Sequence, residues 1–315
     1  MATAARSQYQ MDDIDRALIQ ALDGNVRRPT LELANAVGIS APTAKRRIAR
    51  LRSSGLLHLG PVLDLHAAGY EYLLTLGIRV EGRPALQVAE AIATLEAALT
   101  VNVVSGASDV EVVAALKTRE EVSELLCNTL SSIDGVAHID PALALEVWKF
   151  QRGRRQQNAD NVPGKRPRLD TLDLQIVHSL SEDVRRSNRA IASELNISES
   201  AVRSRIRQML ENKQLSLTTP YPIPPSPIND AFVGIRVQGG KIRRVCQALA
   251  AIDEISLVYT ALGRHDIICY VHVTQPGELE RVLHDKIIGL DGVKSTASAH
   301  CVTQLKHQSL LGLVV

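Results

Sequence analysis

The chain is short of aromatic side chains, with two Phe, one Trp and six Tyr among 315 residues. Its cores must therefore be built chiefly from aliphatic residues, and the hydrophobic share of 45% is that of a soluble globular protein. Cysteine is scarce as well. Cys127, Cys246, Cys269 and Cys301 show no C-x-x-C spacing, which leaves them as buried or incidental thiols rather than metal ligands or disulfide partners. No apolar run reaches the roughly 18 residues of a membrane span. Residues 1–10 are polar and lack an apolar signal core, so a cytoplasmic protein with no membrane partner is expected. An excess of charge is also lacking. The 36 Lys and Arg against 34 Asp and Glu leave +2, too little to argue for nucleic acid, so any basic surface has to be local. Paired carboxylates, a nucleophile with its base and a phosphate-cradling loop are missing too. That argues against an enzyme and calls for no cofactor or metal.

What is present is a long internal repeat. Asp15-Arg16-Ala17-Leu18-Ile19 returns 158 residues later as Asp173-Leu174-Gln175-Ile176-Val177. The same offset carries Arg27-Arg28 onto Arg185-Arg186, Ile39-Ser40 onto Ile197-Ser198 and Arg47-Ile48 onto Arg205-Ile206. Further on the offset becomes 157. Gly77-Ile78-Arg79-Val80 returns as Gly234-Ile235-Arg236-Val237, and Asp134-Gly135-Val136 as Asp291-Gly292-Val293. The chain is a tandem duplication of a two-part unit.

The first part of each unit reads as three helices. Residues 11–22 carry Ile14, Leu18 and Leu22 on one helical face behind an acidic start. Leu31, Ala34 and Val37 mark a second helix, stopped by Gly38, which suits a left-handed turn. Ser40 is placed to cap a third helix, in which Ala44, Ile48 and Leu51 face inward. Thr43, Lys45, Arg46, Arg47 and Arg50 populate its other faces, so this helix can enter a major groove and neutralise phosphates. Arg47 and its counterpart Arg205 could instead be internal salt-bridge partners. Arg27 and Arg28, in the turn after the first helix, could touch phosphate or simply face solvent. Gly55 is a candidate cap for the third helix, and an extended stretch at 56–64 makes the module winged-helix-like. The second copy keeps the cap, the core and three arginines. Ser200, Arg203, Arg205 and Arg207 are its candidate DNA contacts, while Glu199 adds a negative charge.

The second part of each unit has a different pattern. In the first copy, strands at 72–80, 100–105, 110–116 and 136–147 alternate with helices at 84–99 and 120–131. In the second copy the strands fall at 232–237, 255–261, 266–273 and 293–305, and the helices at 242–251 and 278–288. The order β-α-β-β-α-β is a ferredoxin-like sandwich with helices on one sheet face. The opposite face needs a cover, and the simplest cover is a second copy of the same sandwich.

The fold class is therefore α+β. The expected domains are a helix-turn-helix over 11–62, a sandwich over 66–150, a linker over 151–168, a second helix-turn-helix over 169–219 and a second sandwich over 228–315. The linker carries Arg152, Arg154, Arg155, Lys165, Arg166 and Arg168 against Asp160. It reads as a soluble spacer or a phosphate-tracking arm. A Pro-rich stretch over 220–227 precedes the second sandwich.

The Asp-x-x-Asp start, the Gly-Ile-Ser turn, the Thr-Ala-Lys-Arg-Arg-Ile reader and the β-α-β-β-α-β part with its Gly-x-x-Asp turn resemble the Lrp/AsnC family of bacterial transcriptional regulators. The resemblance covers nearly the whole chain as two fused copies. It implies double-stranded DNA as partner, dimerisation through the sandwiches with further assembly into homo-oligomers, and a small-molecule effector such as an amino acid. By resemblance, Gly106, Asp109, Gly263 and Asp266 fall near the effector site. The residues between them differ in the two copies, Ala107-Ser108 against Arg264-His265. The fused pattern also resembles sirohaem decarboxylases, which implies His, Tyr and Arg around a sandwich cavity. His265, His272 and Tyr259 are the candidates for that alternative.

Overall fold

The computed structural model describes residues 11–22, 25–54, 56–57, 59–150, 167–218, 229–273, 277–307 and 311–312. Residues 151–166 of the expected linker, Gly55 and the Pro-rich stretch at 220–227 lie outside the described residues. In chain order the first copy runs α1 (Asp13–Leu22), α2 (Thr30–Ala36), α3 (Ala41–Ser53), β1 (Gly60–Asp64), β2 (Tyr72–Val80), α4 (Ala85–Ala93), β3 (Ala98–Gly106), β4 (Val110–Leu116), α5 (Arg119–Ser123) and β5 (Val136–Phe150). The second runs α6 (Thr171–Glu182), α7 (Asn188–Leu195), α8 (Glu199–Glu211), β6 (Leu215–Thr218), β7 (Asn229–Val237), α9 (Ile242–Ala250), β8 (Ile255–Leu262), β9 (Ile267–Val273), α10 (Glu278–Arg281) and β10 (Val293–His307). A short β11 (Leu311–Gly312) follows. Helices α5 and α10 each continue as π-helical turns, over Glu124–Thr129 and Val282–Ile288.

Two compact units form, and each joins like with like. One gathers the described parts of 1–68, 166–226 and 309–314, and the other those of 69–165 and 227–308.

In the first unit, Leu18, Leu22, Leu33, Ala34, Ala44, Ile48 and Leu51 make the core of one three-helix module. The turn before α3 uses Gly38 at φ +71°, and its counterpart Asn196 takes φ +54°. Asparagine is among the few side chains that accept this left-handed conformation. Ser40 accepts from the Thr43 amide and Ser198 from the Ala201 amide, each cap contributing about 1 kcal/mol. The extended stretch after α3 differs from a projecting wing. It becomes a strand only at Gly60, is buried over 61–64, and pairs antiparallel with β6 of the other module.

In the second unit, eight strands close into a barrel in the order β10-β3-β4-β2-β5-β8-β9-β7. Each sandwich contributes four strands, and the copies join at two seams, β5 with β8 and β3 with β10. Closure removes the unpaired edges that an open sheet would expose. Strand alternation sends Ala231, Val233 and Ile235 to the helix-covered core with Val245 and Leu249. Phe232, one residue out of phase, joins Val104, Ala299 and Cys301 in a cluster that spans the β3–β10 seam. The second copy thus covers the sheet face left open by the first. Helix α4 ends at Ala93, short of the 84–99 expected, where the ladder tightens to i→i−3 bonds, the Thr94 amide donating to the Ala91 carbonyl at 3.2 Å and the Leu95 amide to the Ile92 carbonyl at 3.0 Å.

Candidate nucleic-acid interface and effector cavity

Helix α3 is fixed by its own arginine. The Arg47 guanidinium donates to Asp12 at 2.7 Å and to Asp15 at 2.8 Å, and the Asp15 side chain is fully buried. Arg205 repeats this at 2.7 Å from Asp170 and 2.8 Å from Asp173. These pairs hold both guanidinium groups above their ordinary basicity through hydrogen bonds to the carboxylates. Arg47 and Arg205 therefore lock the reader helices to α1 and α6, which corrects their expected place among the groove contacts. Lys45 and Arg46 are exposed, and no ion pair engages them among the described residues. Arg50 is half-exposed, 3.8 Å from Asp15. The Thr43 hydroxyl lies 2.8 Å from the Ser40 hydroxyl and belongs to the cap. In the second reader, Ser200 is exposed beside Ser198, Arg203 pairs with Glu199 at 2.8 Å, and Arg207 lies 3.9 Å from Glu211.

Arg27, read as a phosphate contact or a solvated side chain, is neither. Its guanidinium donates to the Arg186 carbonyl at 2.6 Å and to the Asn188 side chain at 2.9 Å. It joins the two three-helix modules. Arg28 pairs with Glu32 at 3.3 Å.

In the barrel, the glycines and aspartates of the two turns act on backbone. The Asp109 carboxylate accepts from the Val80 amide at 2.9 Å, and Asp266 from the Val237 amide at 2.7 Å. Gly106 has φ +123°, and a Cβ there would press on the Ser298 carbonyl of the other copy. A Cβ on Gly263 would lie 2.7 Å from the Pro141 carbonyl. These four residues shape two turns that abut opposite copies.

Between them lies a cavity of about 280 Å³. It is lined by residues of both turns, Ala107 and Ser108 from one and Arg264 and His265 from the other. Glu111, His138, Asp140 and Arg79 also line it. Glu111 is 7% exposed and accepts from the Ser108 hydroxyl at 2.5 Å. Burial pushes its carboxyl up to about 7, with the Asp140 charge adding to the rise and the Ser108 hydrogen bond opposing it. Arg264 pairs with Asp140 at 3.2 Å and Arg79 with Asp109 at 3.4 Å. His265 lies over Gly234, where a side chain would collide with its ring, and burial followed by Arg264 lowers its basicity. Tyr259 and His272 are not among the lining residues. The buried Tyr259 hydroxyl bonds to Thr75 of β2, which does line the cavity, and Tyr259 packs with the lining residues Ala142 and Ile268, so it stands behind the cavity wall. His272 sits 2.5 Å from Asp230, away from the lining. Sequence reasoning passed over Glu111. Its position in the second copy, 157 residues on, holds Ile268, and that contrast was the available signal.

Among the described residues no group of His, Cys, Asp or Glu is placed to hold a metal ion, and no helix is long and apolar enough to cross a membrane. The AsnC-type helix-turn-helix domain model matches residues 11–52 and 169–210, and the Lrp/AsnC ligand binding domain model matches 74–153 and 230–311. An uncharacterized HTH-type transcriptional regulator of Pyrococcus furiosus is 37% identical over 135 residues, which is 42% of this chain and 90% of the relative. The HTH-type transcriptional regulator Ptr1 of Methanocaldococcus jannaschii is 29% identical over 136 residues, 41% of this chain and 90% of the relative. The solved siroheme decarboxylase NirDL covers 95% of this chain and 94% of its own at a TM-score of 0.66 and 16% identity, a likeness of fold. With both models matched twice, the chain belongs to the Lrp/AsnC family of DNA-binding transcriptional regulators, as two family units fused in one polypeptide.

Proposed function

We propose that this regulator reads duplex DNA through Lys45, Arg46 and Arg50 of α3 and Ser200, Arg203 and Arg207 of α8, and that a small effector in the barrel cavity modulates it. The observation that carries the DNA reading is the division of labour on α3. Arg47 is spent on Asp12 and Asp15, while Lys45 and Arg46 are exposed on a helix with no acidic residue. Thr43 supports the cap and adds a short polar contact at the helix start.

The cavity suits a compact zwitterion such as an amino acid. Glu111 offers a buried carboxylate to an ammonium group, and Arg79 and Arg264 offer guanidinium groups to a carboxylate. Gly106, Asp109, Gly263 and Asp266 shape this site from behind. Exposed Leu145 and Leu262 on the neighbouring strands β5 and β8, with Val302 on β10, support a homo-oligomer built on the internal pair. The cavity's His138 and His265 favour, as a second reading, a tetrapyrrole decarboxylase. A cavity of about 280 Å³ is small for a tetrapyrrole, and the basic α3 has no role in that chemistry.

The test is binding of the purified chain to duplex DNA from its own upstream region at two salt concentrations, with Arg46→Ala in parallel. Tight binding that falls with salt and weakens in the variant supports the regulator. Indifference to DNA at low salt, with sirohaem bound, supports the decarboxylase.

A further inference from the structure

The two reader helices share a frame but not a reading surface. Their inward residues correspond, with Ala44, Ile48 and Leu51 matched by Val202, Ile206 and Met209, all buried. The arginine locks correspond too, at the same two distances in both modules. The outward residues do not. Arg46 has Ser204 at its counterpart position, Arg50 has Gln208, Ala49 has Arg207 and Ala41 has Glu199. Helix α3 carries Lys45, Arg46, Arg47, Arg50 and Arg52 and no acid, a formal charge of +5. Helix α8 carries three arginines against Glu199 and Glu211, a formal charge of +1.

These unlike readers are held in one compact unit. Arg27 and Arg185 each reach across to backbone carbonyls of the other module, and β1 pairs with β6. A two-fold dimer of identical readers matches a palindromic operator. A fused pair with different readers has no such requirement.

Resting on the DNA-binding reading above, we infer that one chain reads a non-palindromic operator made of two unlike half-sites. The α3 half is held strongly through phosphates and suits guanine, whose O6 and N7 accept two bonds from an arginine such as Arg46. The α8 half is held more weakly and suits adenine, whose N6 and N7 pair with an amide such as Gln208, with Glu199 able to accept from cytosine N4. The ion pairs of Arg203 and Arg207 leave less charge for phosphates on that side.

The experiment is selection of duplexes from a random library by the full-length protein. Affinities are then measured on the selected duplex and on two duplexes that repeat either half as an inverted pair. The expected product has two unlike halves. Arg46→Ala should relax sequence preference in one half only and Gln208→Ala in the other, each weakening binding about tenfold. Both inverted-pair duplexes should bind more weakly than the selected one. Selection of two like halves, or of one half with Gln208→Ala silent, overturns the inference while leaving the regulator intact. Failure to enrich any duplex, with the protein folded by circular dichroism, removes the DNA-binding reading and this inference with it.

Discussion

Arg27 and Arg185 make reciprocal contacts. Arg27 donates to the carbonyl of Arg186 at 2.6 Å, and Arg185 donates to the carbonyl of Arg28 at 2.9 Å. The donors are 158 residues apart, as are the acceptors, so the contact obeys the two-fold relation of a symmetric dimer inside one chain. Burial lowers the basicity of both arginines, the expected effect of moving a charge out of water. Val26 and Val184, equivalent by the same offset, are fully buried nearby in the sequence. Removing either guanidinium leaves carbonyls without their charged donor. Arg27→Ala should lower unfolding stability by about 1.5–3 kcal/mol, read as a shift in urea midpoint. Because both arginines serve one interface, the double variant Arg27→Ala with Arg185→Ala should lose less than the sum.

Arg46 and Arg47 are neighbours with opposite assignments, and single substitutions separate them. Arg47→Ala strands the buried Asp15 carboxylate, with Arg50 3.8 Å away as the remaining cation. It should cost about 3 kcal/mol of stability in chemical denaturation. Arg46→Ala should change stability by less than about 0.5 kcal/mol. Its effect should appear in DNA affinity, and Lys45→Ala should reduce the slope of log affinity against log salt by about 1. Equal stability losses in Arg46→Ala and Arg47→Ala would contradict the assignment.

The thiols give a direct check on burial. Cys246, Cys269 and Cys301 are buried, and burial pushes each thiol up to about 12. Cys127 is exposed. A thiol reagent at pH 8 should label one cysteine quickly in the folded chain and all four only after denaturation, because the thiolate is the reactive form.

The duplication, the caps and the order of strands and helices were legible in the sequence because each has a local cause. Ser40 and Ser198 cap because they precede an apolar helical face, and β2 and β4 span the residues their apolar pattern indicates. What the sequence hid was long-range. The choice between groove and lock for Arg47 depended on Asp12 and Asp15 arriving from 35 and 32 residues away. The role of Arg27 depended on a module 159 residues distant. Taken alone, Gly106 and Asp109 are generic turn residues, and only the family resemblance puts them near an effector site. That Ala107 and Ser108 between them line a cavity became visible only once β10 packed beside β3. Glu111 lay in a strand of apolar residues, and strand alternation alone does not reveal that its face lines a cavity.

Glu111 supplies the prediction that joins stability to function. Its carboxyl titrates near 7 when folded, against 4.5 for an unburied glutamate. Between those values the folded chain holds a proton that the unfolded chain has released. The Glu111 contribution to stability therefore falls as pH rises from about 4.5 to 7 and is flat above, where both states are ionised. The full effect is about 3 kcal/mol, at 1.36 kcal/mol per pH unit. Glu111→Gln keeps the shape and a hydrogen bond for Ser108 but never ionises. It should melt at a higher temperature than the parent at pH 8, match it near pH 4.5, and lose the slope between. An effector whose ammonium group meets Glu111 favours the ionised carboxylate, so parental affinity should rise from pH 6 to 8. The glutamine variant should bind such an effector weakly and without that rise. Calorimetric titration at three pH values reads both effects on the same samples. A variant that is less stable at pH 8, with effector affinity unchanged, would place the ligand elsewhere in the barrel.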